Sequence, residues 1–391
     1  MKEGYRKLGE YIRQVDVRNT DGKEDNLLGV SVQKTFIPSI ANTNGTDFTK
    51  YKVVKKGQFT YIPDTSRRGD KIGIALLEDY EDGLVSNVYT VFEVINEKEL
   101  LPQYLMLWFK RPEFDRYARF KSHGSVREVM DWEEMCKVEL PVPDIETQKR
   151  IVNTYQVLTD RITLKRRIND NLRASGLSII EKNVGTVALI NKTQAELDSV
   201  SIPAGWTIKT VSDYCKETKS GATPSRSESD YWNNGTIPWL KSGEIHNGIT
   251  LKTEECITQI GLNNSSTKML PANTVLMAMY GVTAGEVGYL AIPATTNQAI
   301  CGMVCNTPAE SAYLFFALLQ SQSTASRLSN GGAQDNLSKA FIDNIHIICP
   351  PNEEICKLGL SSLIDAMTLS TKEIDCLEQL QSTILSLLSS R

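Results

Sequence analysis

Arg67, Arg68 and Lys71 stand in the segment DTSRRGDK, residues 64–71, between two stretches of β-forming residues. A guanidinium on such a hairpin loop can take the major-groove edge of a guanine bidentately. Asn87, Asn297 and Gln298 carry carboxamides whose adjacent acceptor and donor match adenine, although closing a strand end is the competing use of such side chains. The second half of the chain adds five loops rich in Gly, Ser, Thr and Asn: KSGATPSRSESDYW, PWLKSGEIHNG, LNNSSTKMLP, YGVTAGEVG and ATTNQAI. Thr223, Ser225, Arg226, Lys241, Ser242, Ser266, Lys268, Tyr280 and Thr283 lie in them, with hydroxyls, cations and backbone N–H groups suited to phosphates and base edges. Ordinary turn chemistry accounts for much of the same composition.

Bond-making chemistry is not written here. There is no GxxxxGKS or GxxxxGKT loop for a nucleoside triphosphate, no GxGxxG after a strand, and no NPPY- or DPPY-like quartet. His123, His246 and His346 are the only histidines, and none has a nucleophile context. The pair Pro143-Asp144 reads as a helix start rather than a nuclease carboxylate. Eight cysteines form no CxxC pair, and Cys301 and Cys305 have no histidine nearby, so free thiols in a reducing compartment are expected and no metal site is. The amino terminus lacks the apolar stretch of a secretory signal and no run is long enough to span a membrane, so a cytosolic location is expected.

The formal charge is −4, from 43 Lys+Arg and 47 Asp+Glu. Residues 1–203 hold 31 of the cations and 30 of the acids, residues 204–391 hold 12 and 17, so neither half is a broadly basic surface. A nucleic-acid partner would be bound weakly by this chain alone, since phosphate neutralisation dominates such affinity. A partner subunit would supply much of the attraction.

The elements that must carry these loops are duplicated. LPVPDIETQKRI, from Leu140 to Ile151, aligns without a gap with ICPPNEEICKLG, from Ile348 to Gly359; Pro143 meets Pro351 and Lys149 meets Lys357 at a constant shift of 208. The shift also pairs HGSVRE with GGAQDN and, with small slips, VSNVYTVF with TTNQAICGM. After each aligned segment comes a helical pattern. Ile151, Tyr155, Leu158, Ile162, Ile168, Leu172 and Ile179 recur at mostly three- and four-residue steps, with Asp144 as N-cap. In the second copy Leu363, Met367, Ser370, Ile374, Leu377, Gln381, Ile384 and Leu388 form a heptad seam, with Asn352 as N-cap and Glu353 and Glu354 behind it. Rods of about forty residues would be about 60 Å long. The cationic face of the first rod, with Lys149, Arg161, Lys165, Arg166, Arg167, Arg173 and Lys182 among others, suits either solvent or a contact with phosphate or acidic protein surface.

The expected fold is therefore α+β. Two domains, each a mixed β-rich body with helices, are each followed by a long helix, and if a pseudo-twofold axis relates the copies the two helices form an antiparallel coiled coil. The expected boundaries are 1–143 and 204–350 for the two globular domains, which the resemblance below makes target recognition domains, 144–183 and 351–391 for the spacer helices, and 184–203 for a linker.

The chain resembles the specificity (S) subunit of type I restriction-modification systems. The resemblance is carried in the second half by GATPSRSESDYWNNGTIPWLKSGEI and by ITQIGLNNSSTKMLPANTVLMAMYGVTAGEVGYLAIPATTNQAI. The first half matches through YKVVKKGQFTYIP, GDKIGIA, VSNVYTVF and LPVPDIETQKRIV, but lacks the GxTP…YW…IPW segment. What the resemblance implies is a non-catalytic reader of a bipartite double-stranded DNA sequence, one half per domain. Two methyltransferase (M) subunits and restriction (R) subunits would dock on it, and S-adenosylmethionine, ATP and Mg²⁺ would belong to those partners. The family offers no positional motif of base-contacting residues. The alternative is a stand-alone interaction protein whose helices dimerise without DNA-modification partners, and a self-sufficient nuclease or methyltransferase comes last.

Overall fold

The structure is a computed structural model and describes residues 4–40, 43, 45–64, 71–122, 128–330 and 337–389, the side chains of 328–330 excepted. It divides into two compact units, residues 1–161 with 377–391, and residues 162–376.

The first unit begins with β1 (Tyr5–Lys7), β2 (Ile12–Val15), β3 (Leu28–Val30), β4 (Phe36–Pro38), β5 (Lys52–Lys55), β6 (Phe59–Tyr61), β7 (Ile74–Leu76), β8 (Asp82–Val85) and β9 (Thr90–Val94). Helices α1 (Pro102–Phe109), α2 (Pro112–Lys121) and α3 (Trp132–Cys136) follow, then β10 (Glu139–Pro141) leads into α4 (Ile145–Asn183). An antiparallel sheet in the order β2-β9-β6-β7 is the centre. Strand side chains alternate between faces, and here both faces are covered. Phe59, Tyr61 and Phe92 enter the aromatic core under α1, with Phe59 and Phe92 stacked at 4.8 Å, while Val91 joins Leu28, Val54, Leu77 and Val85 in a second cluster.

The second unit holds β11 (Ala188–Leu189), α5 (Gln194–Asp198), β12 (Thr207–Thr210), α6 (Val211–Tyr214), β13 (Glu217–Ser220), β14 (Ile237–Leu240), β15 (Ile249–Thr250), β16 (Glu255–Ile257), α7 (Gln259–Asn263), β17 (Thr274–Ala278), β18 (Val287–Leu290), β19 (Thr295–Thr296) and β20 (Ile300–Val304). Helices α8 (Pro308–Gln320), α9 (Gln322–Asn330) and α10 (Lys339–Asp343), strand β21 (His346–Cys349), and helices α11 (Asn352–Lys357) and α12 (Leu360–Leu387) complete the chain. The main sheet runs β13-β20-β17-β18-β15, beside a three-stranded sheet β16-β14-β19. Alternation again splits one strand between two cores. Val275 and Met277 pack in the large core with Phe315 and Phe316 of α8, whereas Leu276 and Ala278 face Leu240, Ile245 and Ile300.

The duplication holds at the level of topology. The order β2-β9-β6-β7 is matched by β13-β20-β17-β18, α1 to α3 by α8 to α10, and the strand pair β1-β10 by β12-β21. A tyrosine repeats as well. The Tyr104 hydroxyl donates to the Pro141 carbonyl at 3.1 Å and the Tyr313 hydroxyl to the Ile348 carbonyl at 2.6 Å, each tying a buried helix to the strand that feeds the long helix.

Within each unit the two long helices pair antiparallel. In the second unit Lys165 bridges Glu373 at 2.6 Å and Asn169 donates to Thr371 at 3.1 Å, so partner numbers fall along α12 as they rise along α4. In the first unit Gln381 donates to Thr159 at 2.7 Å, and Ile151 and Thr154 share a crevice with Ile384, Leu387 and Leu388. Of the seam residues, Ile162, Met367, Ile374, Leu377 and Leu388 are buried and Ile151, Leu158, Leu172, Leu363 and Ile384 half-buried. Ser370, a polar residue on the seam, is buried and donates to the Lys165 carbonyl at 3.3 Å. Asp144 accepts from the Thr147 amide at 2.9 Å, as an N-cap does. On the cationic face Lys149 pairs with Glu146 and Arg173 with Asp170.

Three local features differ from the sequence reading. The second rod is not one helix: Gly359, at φ +69°, separates α11 from α12, a left-handed position that suits glycine. Asn352 is the first helical residue, with Pro351 in the cap position. Residues 184–203, expected as a linker, contain β11, paired with β21, and α5, opened by a capping box in which Thr193 and Glu196 satisfy each other's amides.

Candidate nucleic-acid interface

The hub of the second unit's polar loops is the corner 297–299, where the chain leaves β19 in one sheet and enters β20 in the other. β19 runs parallel to β14, and the Asn297 amide donates to the Leu240 carbonyl at 2.9 Å, which brings Lys241 and Ser242 alongside. The Asn297 side-chain oxygen accepts from the Ala299 amide at 3.1 Å, so this carboxamide shapes the corner, and Gln298 is left exposed. The Met279 amide donates to the Ala299 carbonyl at 2.8 Å, drawing in the β17-β18 connection with Tyr280 and Thr283. Thr267 donates to the Thr296 carbonyl at 3.2 Å, so its neighbours Ser266 and Lys268, both exposed, flank the same corner.

Loop 221–228 is stitched to this corner. The Ala222 amide donates to the Thr296 carbonyl at 2.9 Å, the Trp239 indole to the Ala222 carbonyl at 3.0 Å, and the Thr223 hydroxyl to the Gln298 side-chain oxygen at 2.7 Å. Gly221 is required by proximity: a Cβ there would sit 2.5 Å from the Asn297 carbonyl oxygen and closer still to the Thr296 oxygens. Ser225 shares a hydrogen bond with Ser227 at 2.7 Å, and its carbonyl accepts from the Trp232 indole at 3.0 Å.

Arg226 and Lys241 are occupied by acids. The Arg226 guanidinium lies 3.6 Å from the centre of the Trp232 ring and forks onto Glu255 at 2.7 and 2.9 Å. Lys241 reaches Glu254 at 2.6 Å and Glu255 at 3.6 Å. The ion pairs raise the pKa of both cations, and the Arg226 hydrogen bond holds the Glu255 carboxyl below the usual range.

In the first unit Lys71 and Asn87 are exposed, while Arg67 and Arg68 lie outside the described residues. Asn87 stands three residues before β9 and Asn297 three before β20; Lys71 lies in the β6-β7 connection, Tyr280 and Thr283 in the β17-β18 connection. Tyr61 pairs with Thr90, and Ala278 with Ile300, so in each unit these two connections leave the same end of the sheet side by side. The sequence did not single out Gly221, Trp232, Trp239, Glu254 or Glu255. The tryptophans stood in the YW…IPW pattern, but the acids had no signal, because their pairing with Arg226 and Lys241 depends on the register of β16 against β14.

The profile described as "Type I restriction modification DNA specificity domain" matches residues 8–174 and 203–379. The chain belongs to this DNA specificity family. Each matched segment takes in one recognition domain and part of the long helix after it, and a specificity chain is the reader of its system, not the catalyst. The specificity subunit of the type I restriction enzyme HindI from Haemophilus influenzae is 24% identical over 417 residues, covering 89% of this chain and 90% of that protein. That of MjaIX from Methanocaldococcus jannaschii is 22% identical over 301 residues, covering 75% of this chain and 69% of that one. In fold the chain is similar to the S subunit of a type I system from M. genitalium, with a TM-score of 0.54, 15% identity, and coverage of 98% of this chain and 95% of that one. Among the described residues no helix is long and apolar enough to cross a membrane, and no group of His, Cys, Asp and Glu is placed to hold a metal ion.

Proposed function

We propose that this chain reads a bipartite sequence in double-stranded DNA, one half with residues 1–143 and the other with residues 204–350, and that it acts in the cytosol. The observation that carries the reading is the repetition of the sheet-end site: the connections holding Lys71 and Asn87 recur, in the same topological places, as those holding Tyr280, Thr283, Asn297 and Gln298. Two copies of one reader suit a target of two separated parts, because linked modules gain affinity only when both engage. In the second domain Thr223, Gln298, Ser266, Lys268 and Ser242 are the base- and phosphate-contacting groups of this reading, with Asn297 supporting the corner. Arg67 and Arg68 have the corresponding role in the first.

The long helices α4 and α12 act as spacers and as docking rods for two methyltransferase subunits, with restriction subunits joining the assembly. S-adenosylmethionine, ATP and Mg²⁺ are bound by those partners. The test combines this chain, its methyltransferase subunits and a randomised duplex library. Methylation confined to sites with two fixed half-sequences and a fixed gap is expected; methylation indifferent to sequence would refute the reading. A self-contained dimer of this chain that ignores methyltransferase and DNA alike would favour a plain interaction protein instead.

A further inference from the structure

Of the cations around the second domain's polar corner Lys268 is exposed, whereas Arg226, Lys241 and Lys219 are paired with acids. Arg226 is forked onto Glu255 and stacked on Trp232, Lys241 is bonded to Glu254 at 2.6 Å with Glu255 at 3.6 Å, and Lys219, at the root of the same loop, is bonded to Glu217 at 2.7 Å. Glu254 precedes β16 and is exposed, Glu255 opens that strand and is half-buried, and neither belongs to a core. Their side chains are 68% and 34% exposed.

A phosphate approaching this face meets acid and base together. To take either cation it must displace a carboxylate or sit beside one, and like charges at such distances repel. Sequence-independent DNA binding consists almost entirely of phosphate neutralisation with counterion release. A face that withholds Arg226 and Lys241 therefore loses most on random DNA and least on a site where base-edge hydrogen bonds add to the binding.

We infer that Glu254 and Glu255 are specificity-determining residues that act by repulsion: they screen Arg226 and Lys241 and hold down binding to sequences that offer only phosphates. The inference rests on the DNA-reading function proposed above and deepens it. The acids set the ratio between right and wrong sites, not the identity of the right one.

The experiment uses the full chain assembled with its methyltransferase subunits, in wild-type form and as the double variant E254Q/E255Q. Glutamine keeps size and a hydrogen-bonding oxygen while removing charge. The probes are duplexes selected from a randomised library by the wild-type complex, and unselected duplexes of the same length, titrated across a range of salt. The variant is expected to bind unselected DNA about tenfold more tightly at low salt, with a salt dependence steeper by about one to two counterions and a smaller ratio of selected to unselected affinity. The single variant E254Q, which leaves the Arg226–Glu255 fork in place, should show the same change at about half the size on the logarithmic scale. Acids that merely brace the loop would give the opposite result, a lower melting temperature with weaker binding to selected DNA. That outcome, or an unchanged affinity for unselected duplexes, overturns the inference and leaves DNA reading intact. A wild-type complex that cannot enrich any sequence would remove both.

Discussion

At the scale of single residues, the second domain's corner is held by a glycine whose importance lies in what surrounds it. Gly221 passes so close to the carbonyls of Thr296 and Asn297 that no side chain fits, and the oxygens it meets belong to a strand end that cannot swing aside. Gly221→Ala is expected to lift loop 221–228 off the corner, breaking the Thr223–Gln298 hydrogen bond while leaving the sheet and the long helices in place. The measured result should be relaxed sequence preference in one half-site, with the other half-site and complex assembly retained, read from methylated positions in a duplex library. Asn297 illustrates how one residue type serves two ends: its carboxamide is spent on the turn, and Gln298 beside it is presented outward. Residue type announced hydrogen bonding at both positions, but only the fold divided structure from display.

At the scale of elements, strands and helices were legible because their periods are written in apolar side chains. FTYIP, KIGIALL, VYTVFEVI, TVLMAMY and VGYLAI all contain strands, and the heptad seam of the last forty residues is buried or half-buried throughout. What could not be read were features fixed by neighbours distant in sequence. Gly176 looks like a flaw in α4, since glycine costs about 1 kcal/mol relative to alanine in a helix interior. The helix nevertheless continues through it, because the buried Phe316 ring of α8 occupies the space a Cβ would take: that atom would lie 2.7 Å from Cδ1 and nearer still to Cε1 and Cζ. Gly176→Ala should thus destabilise the protein despite its better helix propensity, by about 1–3 kcal/mol as overpacking does, seen as a lower melting temperature. A second substitution, Phe316→Leu, should recover part of the loss by vacating ring volume. The strand and helix within residues 184–203 were missed for a related reason, as β11 exists by pairing with β21, more than 150 residues away.

At the scale of the whole molecule, the function follows from duplication and from a lack of excess positive charge. With 43 basic against 47 acidic residues the chain has no net positive charge to attract DNA, and on the function proposed above discrimination falls to the loops and adhesion to partner subunits. Helix length becomes the remaining variable. Removing one heptad from each long helix shortens both by about 10 Å, the rise of about three base pairs at about 3.4 Å each. The prediction is a preferred gap shorter by about that number with both half-sequences unchanged, measured by sequencing methylated library members; an unaltered gap would show that the helices do not set it. The heptads must be removed as a matched pair, since deleting one alone would shift every seam residue beyond it against its partner.

The joints that lead from each globular body into the rod after it are not built alike. α4 starts directly after β10 under the Asp144 cap, whereas β21 is followed by a short helix, a left-handed glycine at 359, and only then α12. An extra residue at the first joint would rotate everything it feeds by about 100° about the helix axis, but one added beside Gly359 can be absorbed where the backbone already turns. On the DNA-reading function proposed above, grafts from foreign sequences with imperfect joins should be tolerated at the second reader's exit more often than at the first's, which would make that joint the more permissive socket for new target preferences.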